Sequence, residues 1–233
     1  MSGNQFTSVQ KMQEGLRLYK IKRYDLALKE FLKIDTADFD DRDNIELAYH
    51  LGLCYTKLNR FDDALLYLEQ VVTNEDDVLR IHQCRLMLAY IYVITKRIKM
   101  AEFELKRLQI NGFESVMLYN FLGFTAWMQK NYRHSVELYE KALALDDENA
   151  TVINSLGYIL TDTDIDIMRG LRLCKKAVDK KPNNAAYLDS LGWSYFKNGE
   201  LIEARTWLRR ALDLAPNDKD IKEHFRIVTG GAV

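Results

Sequence analysis

Residues 185–216 constrain the fold of this chain most strongly, because they read as two amphipathic helices joined by a tight turn. In the first half, apolar or small residues recur at the helical i, i+3, i+4 and i+7 spacing, at Leu188, Leu191, Gly192 and Tyr195. Asn198–Gly199 breaks this helix. The second half then carries a stripe of its own, at Ala204, Leu208 and Ala211, which Pro216 ends. A helix pair of this kind has one apolar face that it cannot cover alone, so it requires a neighbour of its own kind.

The same unit recurs along almost the whole chain. The small residue of its first helix falls at six positions, Gly15, Gly52, Ala89, Gly123, Gly157 and Gly192. The differences between neighbouring positions are 37, 37, 34, 34 and 35 residues. Six copies in near register predict a stacked array of helix pairs.

The motif of each copy resembles the tetratricopeptide repeat, whose pattern is W-x2-L-G-x2-Y, then A-x3-F and then P over roughly 34 residues. In the last copy, the pattern residues are Leu188 in place of Trp, Leu191, Gly192, Tyr195, Ala204, Leu208, Ala211 and Pro216. The resemblance implies an all-α fold, a right-handed superhelix (solenoid) of about six helix-turn-helix repeats with a C-terminal capping helix. It implies a single domain over 1–233, with repeats at about 8–41, 45–78, 82–115, 116–149, 150–184 and 185–218 and a cap at about 219–229.

Departures from the regular spacing predict where the repeats differ. The two 37-residue spacings place extra residues in 35–44 and 74–79, which are acidic and turn-rich, so we expect longer loops there. The fifth copy carries one extra residue within 161–170. It also has Gly170 where the repeat usually has Ala, and glycine in a helix costs about 1 kcal/mol. We therefore expect the fifth repeat to be the least stable.

Composition and charge narrow the classes of partner. The chain has 233 residues, two prolines and 48% hydrophobic residues, which favours a helical protein with a large core. Its 33 Lys and Arg nearly balance its 34 Asp and Glu, which gives a formal net charge of −1. Binding to nucleic-acid phosphates depends on a concentrated basic surface, so we expect no nucleic-acid partner.

Other features predict a cytoplasmic protein without membrane insertion. The first fifteen residues lack the apolar core of a signal peptide. The longest apolar run, Met87–Ile94, is much shorter than the ~20 residues that span a bilayer. The three cysteines, at Cys54, Cys84 and Cys174, form no CxxC pair, which is typical of reduced thiols. The phrase LDSLGWSYFKNGELIEA resembles bacterial adaptors of the family and favours a bacterial source.

No motif for catalysis or cofactor binding is found. The sequence has no P-loop, no GxGxxG, no HExxH and no GxSxG. The four histidines, which fall in four different predicted helices, are His50, His82, His134 and His224. Asp162, Asp164 and Asp166 have the spacing that opens a calcium loop, but Ile167 replaces the required Gly and Leu173 the bidentate Glu. We therefore expect no enzyme activity, no cofactor and no metal.

The resemblance also implies a binding surface. In the family, the second, fifth, ninth and twelfth residues of each first helix line a concave groove where peptides bind. The corresponding protein-binding residues here are Tyr49, Leu53, Leu86, Tyr90, Asn120, Phe124, Trp127, Asn154, Tyr158, Trp193 and Phe196. Most are aromatic, and aromatic anchors dominate the energetics of binding grooves. The two asparagines occupy matching positions, and their amides offer a donor and an acceptor to a peptide backbone.

Two hypotheses for function follow from this surface. The first is a non-catalytic scaffold or adaptor that binds a peptide or helical segment of a protein partner in the groove. The second is a self-assembling structural protein that forms homo-oligomers. Residues at the ninth and twelfth positions also pack on the next repeat, so part of this face is alternatively core. Some relatives clamp a partner's carboxylate with basic residues and Asn at the fifth and ninth positions. This chain instead has Met12, Leu16, Tyr49 and Leu53 there, so we expect an apolar or aromatic ligand.

Overall fold

The computed structural model describes residues 7–37 and 39–231, which form thirteen α-helices and no strand. The helices are α1 (Ser8–Lys20), α2 (Tyr24–Phe31), α3 (Asp41–Lys57), α4 (Phe61–Asn74), α5 (Val78–Ile94), α6 (Ile98–Ile110), α7 (Val116–Met128), α8 (Tyr132–Leu145), α9 (Ala150–Asp162), α10 (Ile167–Lys180), α11 (Ala185–Lys197), α12 (Leu201–Leu214) and α13 (Lys219–Val228). The all-α prediction is confirmed. Residues 1–6, 38 and 232–233 of the predicted domain lie outside the described part.

The described helices form two compact units, an amino-terminal unit of α1–α6 and a carboxy-terminal unit of α7–α13. The single solenoid domain over 1–233 stays a prediction. Within each unit, consecutive helices pair into hairpins: α1 with α2, α3 with α4 and α5 with α6 in the first, α7 with α8, α9 with α10 and α11 with α12 in the second. Helix α13 packs on α11 and α12.

Each hairpin turn contains one residue in the left-handed region, where the chain reverses after the first helix. These residues are Lys22, Asn59, Lys96, Lys130, Asp164 and Gly199. Their differences are 37, 37, 34, 34 and 35 residues, the same as those of the small residues in the first helices. The first helix and its turn therefore keep one register in all six copies.

The fifth turn is one residue longer than the others, as the sequence predicts. Helix α9 ends at Asp162 and α10 begins at Ile167, whereas α11 ends at Lys197 and α12 begins at Leu201. Because Asp164 keeps the common register, the additional residue follows it.

The longer loop predicted at 74–79 is not found, because α4 ends at Asn74 and α5 already begins at Val78. The longer loop predicted at 35–44 is found in part, because α2 ends at Phe31 and α3 begins only at Asp41, the widest separation of consecutive described helices. Helices α3 and α5 have 17 residues each, whereas α1, α7, α9 and α11 have 13. The carboxylates of Asp40 and Asp77 each accept a hydrogen bond from a backbone N–H of the following turn. Acidic residues stabilise helix N-termini, so they start these two helices earlier instead of forming a turn.

Each unit has its own core, built by the small and apolar residues of the repeat pattern. The amino-terminal core includes Leu18, Phe31, Leu51, Tyr55, Leu68, Leu88 and Ala101. The carboxy-terminal core includes Ile153, Leu171, Ala177, Leu188, Leu191 and Ala211. Helix α13 buries Ile221 in this core, and it buries Phe225 and Val228 in a smaller cluster with Ala204 and Leu208 of α12.

Gly170 lies where the two helices of the fifth hairpin approach each other closely. Helices α9 and α10 approach each other so closely that a Cβ atom at Gly170 would lie 2.6 Å from the carbonyl oxygen of Gly157. It would also lie 3.1 Å from the backbone nitrogen of Thr161. Both neighbours are backbone atoms and cannot rotate away. Glycine here permits the close packing of its hairpin, and the lower stability of the fifth repeat stays a prediction.

Candidate functional site

The first helices of the carboxy-terminal unit bring five predicted aromatic residues into one surface, which we call the aromatic face: Phe124, Trp127, Tyr158, Trp193 and Phe196. All five are half-buried. The ring centroids of Phe124 and Trp127 are 5.7 Å apart, and those of Trp127 and Tyr158 are 5.9 Å apart with the rings edge to face. The rings of Trp193 and Phe196 are separated by 5.1 Å. Contacts at these distances favour a rigid arrangement of the rings.

His224 of α13 connects the two halves of the aromatic face. Its ring stacks on Trp193, with centroids 4.3 Å apart, and lies 6.2 Å from the ring of Tyr158. Its Nδ1 atom lies 2.9 Å and 3.0 Å from the two carboxylate oxygens of Asp189. The sequence reasoning did not include His224 in the site. A signal was present, since His224 follows Asp189 by 35 residues, as Asp189 follows Asn154.

The surroundings of His224 favour its charged form. Burial lowers the pKa of His224, but the hydrogen bond to Asp189 and the charges of Asp189, Asp162 and Asp220 outweigh this effect and raise it above its ordinary value. Burial, together with the same three carboxylates, also raises the pKa of Tyr158. The aromatic face therefore holds a histidine whose charged form is favoured by neighbouring carboxylates and a tyrosine whose neutral form is favoured.

The amide of Asn154 is held in a defined orientation. The Ser190 hydroxyl donates to the carbonyl oxygen of Ala186 at 2.9 Å, and so it accepts from Nδ2 of Asn154 at 3.2 Å. Oδ1 of Asn154 is then left without a hydrogen-bond partner, although the residue is only 8% exposed. Oδ1 of Asn120, at the matching position of α7, is also buried and unpartnered. A buried acceptor without a donor costs about 1–3 kcal/mol, so both oxygens are unusual features of this surface.

The three aspartates at the end of α9 and in the following turn, Asp162, Asp164 and Asp166, each have a structural partner. Asp162 accepts a hydrogen bond from the indole Nε1–H of Trp193 at 3.1 Å, and Asp164 pairs with Lys197 at 2.8 Å. Asp166 caps α10 by accepting from the backbone N–H of Arg169 at 2.9 Å. Asp162 thus belongs to the aromatic face, while the other two belong to the turn and the next helix.

The amino-terminal unit places its four predicted residues differently. Tyr49 donates its hydroxyl to Oε1 of Gln83 at 3.0 Å, and the guanidinium of Arg80 lies 5.0 Å from its ring centroid. Leu53 and Leu86 are half-buried, and Tyr90 is exposed. Ion pairs of Arg80 with Glu46, at 2.5 Å, and with Glu75, at 3.1 Å, cover this region.

The described residues offer no group of three or more His, Cys, Asp or Glu side chains placed to hold a metal ion. The three cysteines are buried and unpaired, and burial raises the pKa of Cys54, Cys84 and Cys174 to about 12 in each case. Their thiols therefore stay protonated at neutral pH, which disfavours a nucleophilic role. None of the described helices has the length and apolarity that a bilayer-spanning helix needs.

Three models of the tetratricopeptide repeat match the chain, at residues 45–77, 116–145 and 185–218. A TPR repeat-containing protein of Pseudomonas aeruginosa is 33% identical over 108 residues, which are 45% of this chain and 18% of that protein. The human protein O-mannosyl-transferase TMTC1 is 24% identical over 184 residues, which are 77% of this chain and 20% of that protein. The chain thus spans about a fifth of the length of these curated relatives.

Solved structures with low sequence identity have the same fold. A chain of the APC/C hetero-tetramer Cut9–Hcn1 gives a TM-score of 0.76 at 16% identity, covering 95% of this chain and 42% of that one. A tetratricopeptide repeat protein from Parabacteroides merdae gives 0.71 at 14% identity, covering 97% and 86%. YrrB, described as a TPR protein with an unusual peptide-binding site, gives 0.56 at 16% identity, covering 86% and 96%. The three repeat models and the six hairpins of one register show that this chain contains tetratricopeptide repeats, and these solved structures share its fold.

Proposed function

We propose that this protein is a non-catalytic scaffold or adaptor that binds a segment of a partner protein on the aromatic face of its carboxy-terminal unit. The observation that carries this proposal is the chain of ring contacts from Phe124 through Trp127 to Tyr158 on the half-buried side of α7 and α9. Large rings that are partly covered but still reachable are the usual anchors of protein interfaces. Their mutual contacts order the rings before binding, which lowers the entropy cost of association.

This surface is better suited to bind a peptide segment than to bind a small molecule or to catalyse a reaction. The rings are spread over the first helices of three hairpins, α7, α9 and α11, so an extended ligand is needed to contact all of them. The side-chain amides of Asn120 and Asn154 lie beside the rings and have oxygens that lack a hydrogen-bond donor. YrrB, a protein of the same fold, carries a peptide-binding site according to its description, which supports the proposal by analogy. Tyr49, Leu53, Leu86 and Tyr90 of the amino-terminal unit are proposed as a second contact surface for the same class of ligand.

The proposal is tested by selecting peptides from a random 12-residue display library on the whole chain and measuring their affinity by fluorescence anisotropy. The double variant Phe124→Ala with Trp127→Ala is expected to weaken binding by at least about tenfold, because each substitution removes an aromatic ring that anchors the peptide. Phe103→Ala is the matched control, since it removes a ring that is 50% exposed on α6, outside the face.

Peptides that bind the wild type and the double variant equally, with both proteins folded, would overturn this assignment. Self-assembly through the same rings is separated by light scattering over a concentration series. If the proposal is correct, the measured mass is that of one chain at all concentrations. A mass that grows with concentration in the wild type, but not in the double variant, would favour the homo-oligomer instead.

A further inference from the structure

We propose that the aromatic face selects a basic segment, and that an arginine side chain of the partner lies against Trp127 and Tyr158 with its guanidinium directed toward Asp162. Lysine would occupy the same place with lower affinity. This inference rests on the proposed function and adds the chemical class of the partner.

The first argument is the charge of the aromatic face. Asp162 on α9 accepts from the indole of Trp193, and Asp189 on α11 lies against His224. The charge of Asp220 on α13 also raises the pKa of both Tyr158 and His224. The cation among them is His224, which engages both oxygens of Asp189. Even with His224 protonated, two carboxylates remain in excess, so this surface complements a positive ligand and repels an acidic one.

The lysine that follows the aromatic face in sequence already has an acidic partner. Lys197, one residue beyond Phe196, forms its ion pair with Asp164 at 2.8 Å. Asp162, in contrast, is not paired with a cation in the described structure; its hydrogen-bond partner is the neutral indole N–H of Trp193. Asp162 is therefore the carboxylate that a positively charged ligand would pair with. The carboxylate has two oxygens and about four lone-pair sites, and so it can accept from the indole and from a ligand at the same time.

The second argument is the chemistry of the rings. A guanidinium or ammonium over the face of Trp or Tyr gains about 0.5–2 kcal/mol, and most when the site is partly desolvated. Trp127 and Tyr158 meet edge to face at 5.9 Å, so their ring planes form two walls of a corner. Arginine suits such a corner better than lysine because its planar guanidinium stacks on a ring while its edge donates hydrogen bonds.

The third argument is independent of charge and comes from the two orphaned amide oxygens. Asn154 lies one helical turn before Tyr158 on the same face of α9, is only 8% exposed, and has an Oδ1 atom without a donor. Its Nδ2 is committed to Ser190, so the group that this side chain still lacks is a donor. Oδ1 of Asn120 lacks a donor as well. The N–H groups of a bound arginine and of its backbone are donors of the kind that these two oxygens lack.

The experiment measures the amino-acid composition of peptides that are selected from the random library on the whole chain. Only peptides that do not bind the variant Phe124→Ala with Trp127→Ala are counted. We expect arginine, and then lysine, to be enriched over the starting library, and aspartate and glutamate to be depleted. Replacing the arginine of a selected peptide by citrulline, its neutral analogue, should weaken binding about tenfold.

The variant Asp162→Asn should weaken the same peptides about tenfold, while it keeps an oxygen to accept from Trp193. Asp213→Asn is the matched control, because it removes one carboxylate from the exposed surface of α12 and should leave affinity unchanged. Melting curves of both variants verify that they are folded.

The two proposals fail in different ways. Two results would overturn the basic-segment inference alone. The first is that peptides that depend on Phe124 and Trp127 carry no excess of basic residues. The second is that these peptides bind Asp162→Asn as tightly as the wild type. A library that yields no peptide dependent on these two rings would overturn the binding function together with the inference.

Discussion

His224→Ala is expected to lower the free energy of unfolding by about 3–5 kcal/mol, because it leaves the carboxylate of Asp189 buried without its partner. Asp189 is only 7% exposed, and both of its oxygens lie within 3.0 Å of Nδ1 of His224. The substitution also removes the ring that stacks on Trp193 at 4.3 Å. Urea unfolding followed by tryptophan fluorescence measures the change. His134→Ala, on the exposed surface of α8, is the control and should cost less than about 0.5 kcal/mol.

The same pair predicts how stability depends on pH. The pKa of His224 is raised in the folded chain, so the stabilisation from its charged form is fully present below the unfolded pKa of about 6.5. It is lost as the pH rises through the higher folded pKa. The difference in unfolding free energy between wild type and His224→Ala should therefore shrink as the pH rises from about 6.5 through the folded pKa of His224. A difference that is constant or grows over this range would contradict the pair as described.

A double substitution separates the buried charge from the loss of packing. Asp189→Leu with His224→Leu removes both partners and keeps apolar volume, so it should recover much of the stability that His224→Ala loses. A double variant that is as unstable as His224→Ala would mean that the hydrogen bond itself, and not the orphaned carboxylate, accounts for the loss.

Gly170→Ala is expected to destabilise the protein by about 1–3 kcal/mol, although alanine is the better helix former by about 1 kcal/mol. The added Cβ would lie 2.6 Å from the Gly157 carbonyl oxygen, so α9 and α10 would have to separate. Gly52→Ala is the matched control, since its Cβ would meet mainly the Leu68 side chain, with the nearest backbone atom at 3.5 Å. The buried Leu68 side chain has to shift, but the backbone does not, so the expected cost is smaller than at Gly170.

Thermal and urea unfolding of the two glycine variants distinguish these expectations. If Gly170→Ala is as stable as the wild type or more stable, helix propensity decides at this position, and the fifth repeat is weakened by its glycine as the sequence predicts. Hydrogen exchange in the hairpin of α9 and α10 localises the effect, because a stacked array loses stability near the altered contact first.

The regular part of the fold could be predicted from the sequence because one spacing governs it. The small residue of each first helix, such as Gly157 or Gly192, has to face a second helix, so its recurrence fixes the number of hairpins and the register of their turns. The cap helix was equally readable from Ile221, Phe225 and Val228, since a 3.6-residue period identifies one apolar face.

Features that depend on the neighbourhood of a residue could not be predicted in this way. The acidic residues before α3 and α5 have the composition of a turn, yet they cap helices, because a carboxylate serves both roles equally well. Gly170 reads as a defect until the distance between α9 and α10 is known. His224 lies beyond the last full repeat, and only the packing of α13 on α11 brings it onto the aromatic face.

The aromatic face itself was partly predictable. Repeat positions placed Phe124, Trp127, Tyr158, Trp193 and Phe196 on one side of the first helices. In the structure, the first three rings contact one another in order, the last two form a pair, and His224 lies between the two groups. Repeat positions carry no information on hydrogen bonding, and so the orphaned oxygens of the two asparagines emerge only from the structure.

The central claim, that the aromatic face binds a peptide segment, is tested most directly by the indole N–H signals of the ¹⁵N-labelled protein during titration with a selected 12-residue peptide. The chain has three tryptophans. Trp127 and Trp193 lie on the aromatic face, whereas Trp207 lies on α12 under the guanidinium of Arg210. We expect the first two signals to shift with the affinity measured by anisotropy, and the third to stay in place. Peptide binding that leaves the signals of Trp127 and Trp193 unchanged would contradict the claim.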